Sequence, residues 1–157
     1  MVAPRILVHN TQKDMVIVPS SVRRGVRYLL SSLKTTTDEI DIHFVTAQEI
    51  SRVHEELFND PTVTDCITIP CDAPEEIGED GKHCLGECFI CPLAAIRYAA
   101  ENYPGEEYKE VTRYVIHCLL HLVGYTDDTH EERQRMRCQE DLFLESLIQC
   151  SWLVSGK

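Results

Sequence analysis

Between Glu107 and Val123 the chain carries Val111, Tyr114, Val115, Ile116, Leu119, Leu120, Leu122 and Val123. In the second half of this stretch the apolar residues wrap nearly the whole circumference of a helix, so the helix has to be central and packed on several sides. Two histidines interrupt it. His117 and His121 stand at i and i+4, which places their Cβ atoms about 5–6 Å apart on one helix face. Gly124 suits the left-handed residue that ends a helix, and Asp127, Asp128 and His130 follow at once. Any fold for this chain must bury that helix and still satisfy two imidazoles.

The remaining elements follow from periodicity and punctuation. Residues 5–9 and 15–18 are β-rich runs separated by the polar Asn10 to Asp14, which predicts two strands and a turn. Ser20 and Ser21 can cap a helix from about Val22 to Lys34, whose buried stripe is Val22, Val26, Leu29 and Leu33. Residues 40–45 alternate as a half-buried strand, and the polar segment 48–57 reads as a helix in which His54 is a surface or satisfied histidine. A turn at Asn59, Asp60 and Pro61 leads into a strand over 64–70. The acidic stretch from Cys71 to His83, with Pro74, Gly78 and Gly81, reads as a mobile surface loop. A strand over 85–91 comes next, then a helix opened by Pro92 and stopped before Pro104 and Gly105. An amphipathic helix from about Glu131 to Cys150 closes the chain, with Met136, Phe143 and Leu147 on one side. With no repeat or linker in 157 residues, this predicts one domain of four to five strands and about five helices.

Composition narrows the function classes. An apolar fraction of 43% and a charged fraction of 26% are those of a soluble globular chain. No run of eighteen apolar residues exists to cross a membrane, and the first residues lack the pattern of a secretory leader, which makes the cytoplasm the expected compartment. The net charge of −11 argues against a generally cationic surface for nucleic acid, though not against a local patch. Acidic residues concentrate at 72–80 and 101–110, whereas Arg23, Arg24, Arg27 and Lys34 cluster near the N-terminus. The eight cysteines read as reduced, and mostly as packing residues. Cys84, Cys88 and Cys91 lack the second half of a zinc knuckle, and on a strand positions 88 and 91 face opposite ways.

The histidine helix therefore carries the chemistry. The pattern HxxxHxxGxxD lets two imidazoles and a carboxylate approach one divalent ion and leaves a position open, as catalytic metals require. Asp127 is the expected third ligand, with His130 as the alternative if the turn is looser. Zinc is the expected ion. Cys118 stands where a metalloprotease of the HExxH type has its glutamate base, which weakens that reading.

The stretch HCLLHLVGYTD resembles the signature HGxLHLxGYDH of the YbeY endoribonucleases, bacterial rRNA maturation factors, in both helical histidines, the LeuHisLeu core, Gly124 and Tyr125. ThrAspCysIleThrIlePro at 64–70 is similar to the family's TDVLSFP strand, and LeuGlyGluCysPheIleCys at 85–91 to its LGDIxIS strand, so the resemblance spans most of the chain. It implies an α+β fold in which a small mixed sheet of four to five strands packs with about five helices, a metal held by three histidines, here on the buried helix and the turn after it, and hydrolysis of single-stranded RNA in small-subunit rRNA maturation. This chain departs from the pattern at three places. Asp127 falls where the third histidine stands, with Thr126 before it; Cys118 replaces a glycine; and Phe58 occupies the position of an arginine whose role Arg52 or Arg97 could take over.

The expected function is thus a metal-dependent endoribonuclease acting on rRNA and the ribosomal small subunit, with ribosome-associated proteins as possible partners and no membrane. Its metal ligands would be His117, His121 and Asp127. No general base stands out, Asp128 and Glu131 being candidates by proximity, and Arg23, Arg27 and Arg97 are the candidate RNA contacts. The rivals are a non-catalytic ribosome-assembly adaptor with a structural metal and a small metalloprotease.

Overall fold

A computed structural model describes residues 3–73 and 75–157. Among these, four strands and five helices run in the order β1 (Arg5–Asn10), α1 (Pro19–Ser32), β2 (Glu39–Phe44), α2 (Ala47–Phe58), β3 (Cys66–Pro70), β4 (Cys84–Ile90), α3 (Pro92–Asn102), α4 (Glu107–Leu122) and α5 (His130–Gln149). The sheet order is β1-β2-β4-β3. β1, β2 and β4 are parallel, and β3 lies antiparallel on β4 as the edge strand. The predicted α+β class, helix count and mixed sheet are all present, and the expected four to five strands resolve to four.

Alternation along the strands sorts the two sheet faces. Ile6, Ile40, Ile42, Phe44, Cys88 and Ile90 are buried on the inner face, against Val22, Val26 and Leu29 of α1 and Ile116, Leu119 and Leu120 of α4. The histidine helix is the central element its sequence required, packed on β3, β4, α1, α3 and α5. On the outer face α2 covers only the β3 end, with Ile50 and Val53 over Ile67.

Three expectations need correction. Residues 15–18 form no strand: Gln12 folds back to accept from Met15 N (2.9 Å) and donate to Met15 O (2.8 Å), while Val18 N donates to Ser155 O (2.8 Å) and Tyr108 Oη to Val16 O (2.7 Å). With those groups satisfied by a side chain and the C-terminal tail, the segment gains nothing from a ladder. Helix α1 starts at Pro19 after the N-cap Val18, without a side-chain cap, and Ser21 Oγ instead donates to Val18 O at 2.7 Å. Proline, with φ preset and no N–H to satisfy, suits the first helical position. Its buried stripe includes Leu30, whereas Leu33 lies at the C-cap and is only partly buried. The loop from Cys71 to His83 is exposed at its middle but tied at its ends, since Asp72 Oδ2 accepts from Cys84 N (2.8 Å) and His83 Nδ1 lies 2.9 Å from Thr37 Oγ1. Pro74, expected in that loop, lies outside the described residues.

All eight cysteines are free; Cys88, Cys91 and Cys118 are buried packing residues, whereas Cys71, Cys138 and Cys150 are exposed, and Cys88 and Cys91 belong to different core clusters.

Gly86 joins the sheet to α4. It pairs with Pro70, and a Cβ there would stand 2.6 Å from Ile69 O and 2.6 Å from Leu122 Cδ2. Gly86→Ala must push β3 or the end of α4 outward and is expected to cost about 1–3 kcal/mol. The check is a lower urea midpoint at unchanged slope.

Candidate metal centre and cleft

Helix α4 ends beside its second histidine. Gly124 adopts φ 108, its N–H donates to His121 O (3.1 Å), and Tyr125 N donates to Leu120 O (2.9 Å). The reversal brings the Tyr125 carbonyl within 3.0 Å of His121 Nδ1. Beyond it, α5 is started by a capping box between Thr129 and Glu132. Arg133 Nη1 donates to the carbonyls of Asp127 (3.3 Å) and Asp128 (2.9 Å), so the turn carrying Asp127 is anchored at both ends.

His117 is fixed from α5. The buried stripe of that helix is Met136, Glu140, Leu144 and Leu147, and its one carboxylate, Glu140, lies 2.7 Å from His117 Nδ1 and 3.1 Å from Arg113 Nη1. Burial opposes the charge on both partners. The pairing outweighs it, so His117 is raised from its ordinary pKa and Glu140, with Arg113 also beside it, is lowered.

These partners settle both tautomers. An ionised carboxylate and a carbonyl only accept, so Nδ1 of each histidine donates and each Nε2 of a neutral ring is left as an acceptor. The two Nε2 atoms are 3.0 Å apart, and Asp127 Oδ2 is 3.5 Å from one and 3.4 Å from the other. Three acceptors facing one point repel each other unless a cation lies among them. Their separations match the roughly 3.3 Å edges of a tetrahedron with bonds of about 2.0–2.1 Å. Two imidazoles and a carboxylate therefore fit a borderline divalent ion.

The other residues singled out by sequence are dispersed. His130 is the exposed first residue of α5 and is no part of the cluster of His117, His121 and Asp127. Asp128 and Glu131 are exposed nearby. Arg23 Nε donates to Ile6 O at 3.2 Å, while Arg27 and Arg97 are exposed on α1 and α3. Arg52 pairs with Glu56 on α2 at 2.9 Å. Cys118 is fully buried against the Cys66 and Cys88 thiols, away from the ligand face.

A cleft of about 350 Å³ opens over the cluster along the β3 edge, lined by His54 and Phe58 of α2, Thr68 of β3, His117 and His121, and Tyr125 of the turn. Phe58 is exposed and tilted on the His54 ring at 5.0 Å. His54 Nδ1 lies 2.8 Å from the Asp60 carbonyl and must donate to it, leaving Nε2 as an acceptor. On the other side of His117 a smaller recess holds Arg113, Arg137 and Glu140. Sequence reasoning missed Glu140, Arg113, Arg137 and the place of His54 in the cleft. A glutamate on the apolar stripe of α5 was the available signal for the first.

The chain matches known proteins over nearly its full length. The sequence model of the family described as Endoribonuclease YbeY matches residues 7–148. A protein of Chlamydia muridarum named Endoribonuclease YbeY is 40% identical over 147 residues, covering 94% of this chain and 90% of the relative. One of Chlamydia felis with the same name is 41% identical over 139 residues, covering 87% of each. In three dimensions the chain is similar to a Thermotoga maritima protein of known solution structure, with a TM-score of 0.63 at 20% identity over 90% of this chain and 87% of the other, a likeness that speaks for the fold. With the family pattern matched from β1 into α5, the chain belongs to the YbeY endoribonuclease family.

Proposed function

We propose that this chain cuts single-stranded RNA in the maturation of small-subunit rRNA, in the cytoplasm, with one zinc ion held by His117, His121 and Asp127. The observation that carries the reading is the convergence of the two Nε2 atoms and Asp127 Oδ2 within 3.5 Å, beneath an open cleft. Two imidazoles in the donor set favour zinc over magnesium, which prefers oxygen. Such an ion supplies Lewis acidity to a phosphodiester and lowers the pKa of water.

The chain's own groups do the positioning. Glu140 and the Tyr125 carbonyl hold a proton on Nδ1 of each histidine and aim the Nε2 lone pairs at one point. Arg113 holds Glu140 in turn. His54 lines the cleft with an acceptor nitrogen and takes, in this proposal, the proton-handling role for which Asp128 and Glu131 were the sequence candidates. Arg137, about half exposed beside Glu140, is added to Arg23, Arg27 and Arg97 as a phosphate contact to test, because it lines the recess next to His117. Among the described residues no helix is long and apolar enough to cross a membrane.

The test incubates zinc-loaded protein and Asp127→Ala with single-stranded rRNA fragments and with casein. RNA cleavage by the parent alone, with casein intact, is expected. Intact RNA across several metals, with ribosomal particles still bound, would replace the nuclease by a non-catalytic assembly adaptor.

A further inference from the structure

The outer face of the sheet holds a second set of metal-ligating groups. In register, His9 of β1 lies opposite His43 of β2, and Asp41 of β2 opposite Glu87 of β4. The pleat turns all four away from the core that Val8, Ile40, Ile42 and Cys88 enter. Helix α2 reaches only the β3 side of this face, so the β1–β2 side is open to solvent.

The rings on this face stack across the strands. Phe89, packed with the small cluster under α2, lies against the His43 ring at 4.4 Å and 5°, and His43 against the His9 ring at 4.5 Å and 15°. His9 Nε2 is 2.8 Å from Asp41 Oδ1, and His43 Nε2 is 3.1 Å from Glu87 Oε1. Like groups are therefore direct cross-strand neighbours twice over, an unfavourable placement for two carboxylates that is offset only by the imidazole each one touches. Among the described residues only two groups of three such side chains bring ligand atoms within 4.8 Å of one another: the His117 centre, and His9, Asp41 and His43.

A nucleic-acid platform does not suit this face. The rings stack on each other across the strands, which leaves one outer ring face for a base, and the flanking carboxylates repel phosphate.

We propose that His9, Asp41 and His43 form a second divalent transition-metal site, with Glu87 as fourth donor. Two imidazole nitrogens with carboxylate oxygens select the zinc, nickel and copper class over calcium and magnesium. Neutral imidazoles would ligate through Nε2, and the ion would separate the two acids. The ligand atoms of His9, Asp41 and His43 all lie within 4.8 Å of one another, but the stacked rings send their Nε2 lone pairs side by side rather than to one point. His9, the most exposed of the four at 44%, must turn off the His43 stack on edge strand β1 to share an ion, so the site binds more weakly than the preformed one at His117. When filled it ties β1 to β2 and β4.

The test is zinc titration of the chelator-stripped full chain by calorimetry, with bound metal counted after dialysis. Two classes of site are expected. His9→Asn, an exposed change that leaves the core untouched, should lose the weaker class and keep the tighter one, and Glu87→Gln should weaken the same class. Asp127→Ala should do the opposite, so failure here is separable from failure of the nuclease reading. A parent that binds one equivalent, or a His9→Asn variant that still binds two, would overturn the proposal and leave proton-mediated His–carboxylate pairs on this face.

Discussion

Alanine at Glu140 is expected to destabilise the fold by about 1–3 kcal/mol, because it leaves the largely buried Arg113 and His117 each one partner short, and to weaken metal binding at His117 about 10–100-fold. The Arg113 side chain is only 13% exposed and would keep Asp141, itself 57% exposed, as its remaining partner. His117 would lose the acceptor that fixes its tautomer and hence the aim of Nε2. The stability loss should depend on pH in chelator-treated protein. Glu140, lowered from an ordinary 4.5, contributes stability that is present above that value and lost as pH falls through its folded pKa. His117, raised from an ordinary 6.5, contributes stability that is present below that value and lost as pH rises through its folded pKa. The gap between parent and variant in urea midpoint is therefore widest between 4.5 and 6.5 and narrows on both sides. Glu140→Gln keeps an acceptor for Nδ1 without the charge, so it should retain more metal affinity than alanine while losing most of the pH dependence. A gap independent of pH would show that Glu140 acts by packing alone.

What the sequence made legible is what local spacing controls. The apolar wrap of α4, the i,i+4 histidines and Gly124 predicted a central helix ending in a turn, and those elements are in place. Alternation found β2, the turn and loop signals on either side set off β3 and β4, and Pro92 marked the start of α3. Spacing left Asp127 and His130 both available as the third ligand; the distinction rests on Arg133 holding the turn carbonyls and on the capping box that makes His130 an exposed helical residue. The misses share one physical origin. Residues 15–18 have strand composition but are held by Gln12, Tyr108 and the tail near Ser155, partners distant in sequence or acting through side chains. Glu140 is 23 positions from His117, in a helix rich in surface charge, and nothing local distinguishes it from its neighbours except its place on an apolar stripe. The cleft is likewise a product of topology: β3 turns antiparallel at the sheet edge, and only this brings α2 with His54 and Phe58 over the end of α4.

His121→Ala is expected to abolish both stoichiometric zinc at the α4 centre and RNA cleavage, with a much smaller effect on stability. The ring is a quarter exposed and its Nδ1 contact is to the carbonyl of an open turn, so its loss leaves no buried charge short of a partner, as the loss of Glu140 does. Two donors, His117 and Asp127, then remain, one fewer than a catalytic zinc requires. Asp127→His makes the complementary test. It restores the three-histidine pattern on a turn already anchored by Arg133, so zinc should stay bound and RNA should still be cut. Exchanging a carboxylate for a neutral imidazole raises the net positive charge of the loaded site by one, which strengthens its acidifying effect on water. The rising limb of the pH–rate profile should move to lower pH relative to the parent. Metal analysis and single-turnover RNA cleavage across pH read both outcomes. If His121→Ala retains zinc and activity, the ion is not held at this cluster; if Asp127→His binds zinc but leaves the pH profile unmoved, Asp127 lies beside the ion without ligating it.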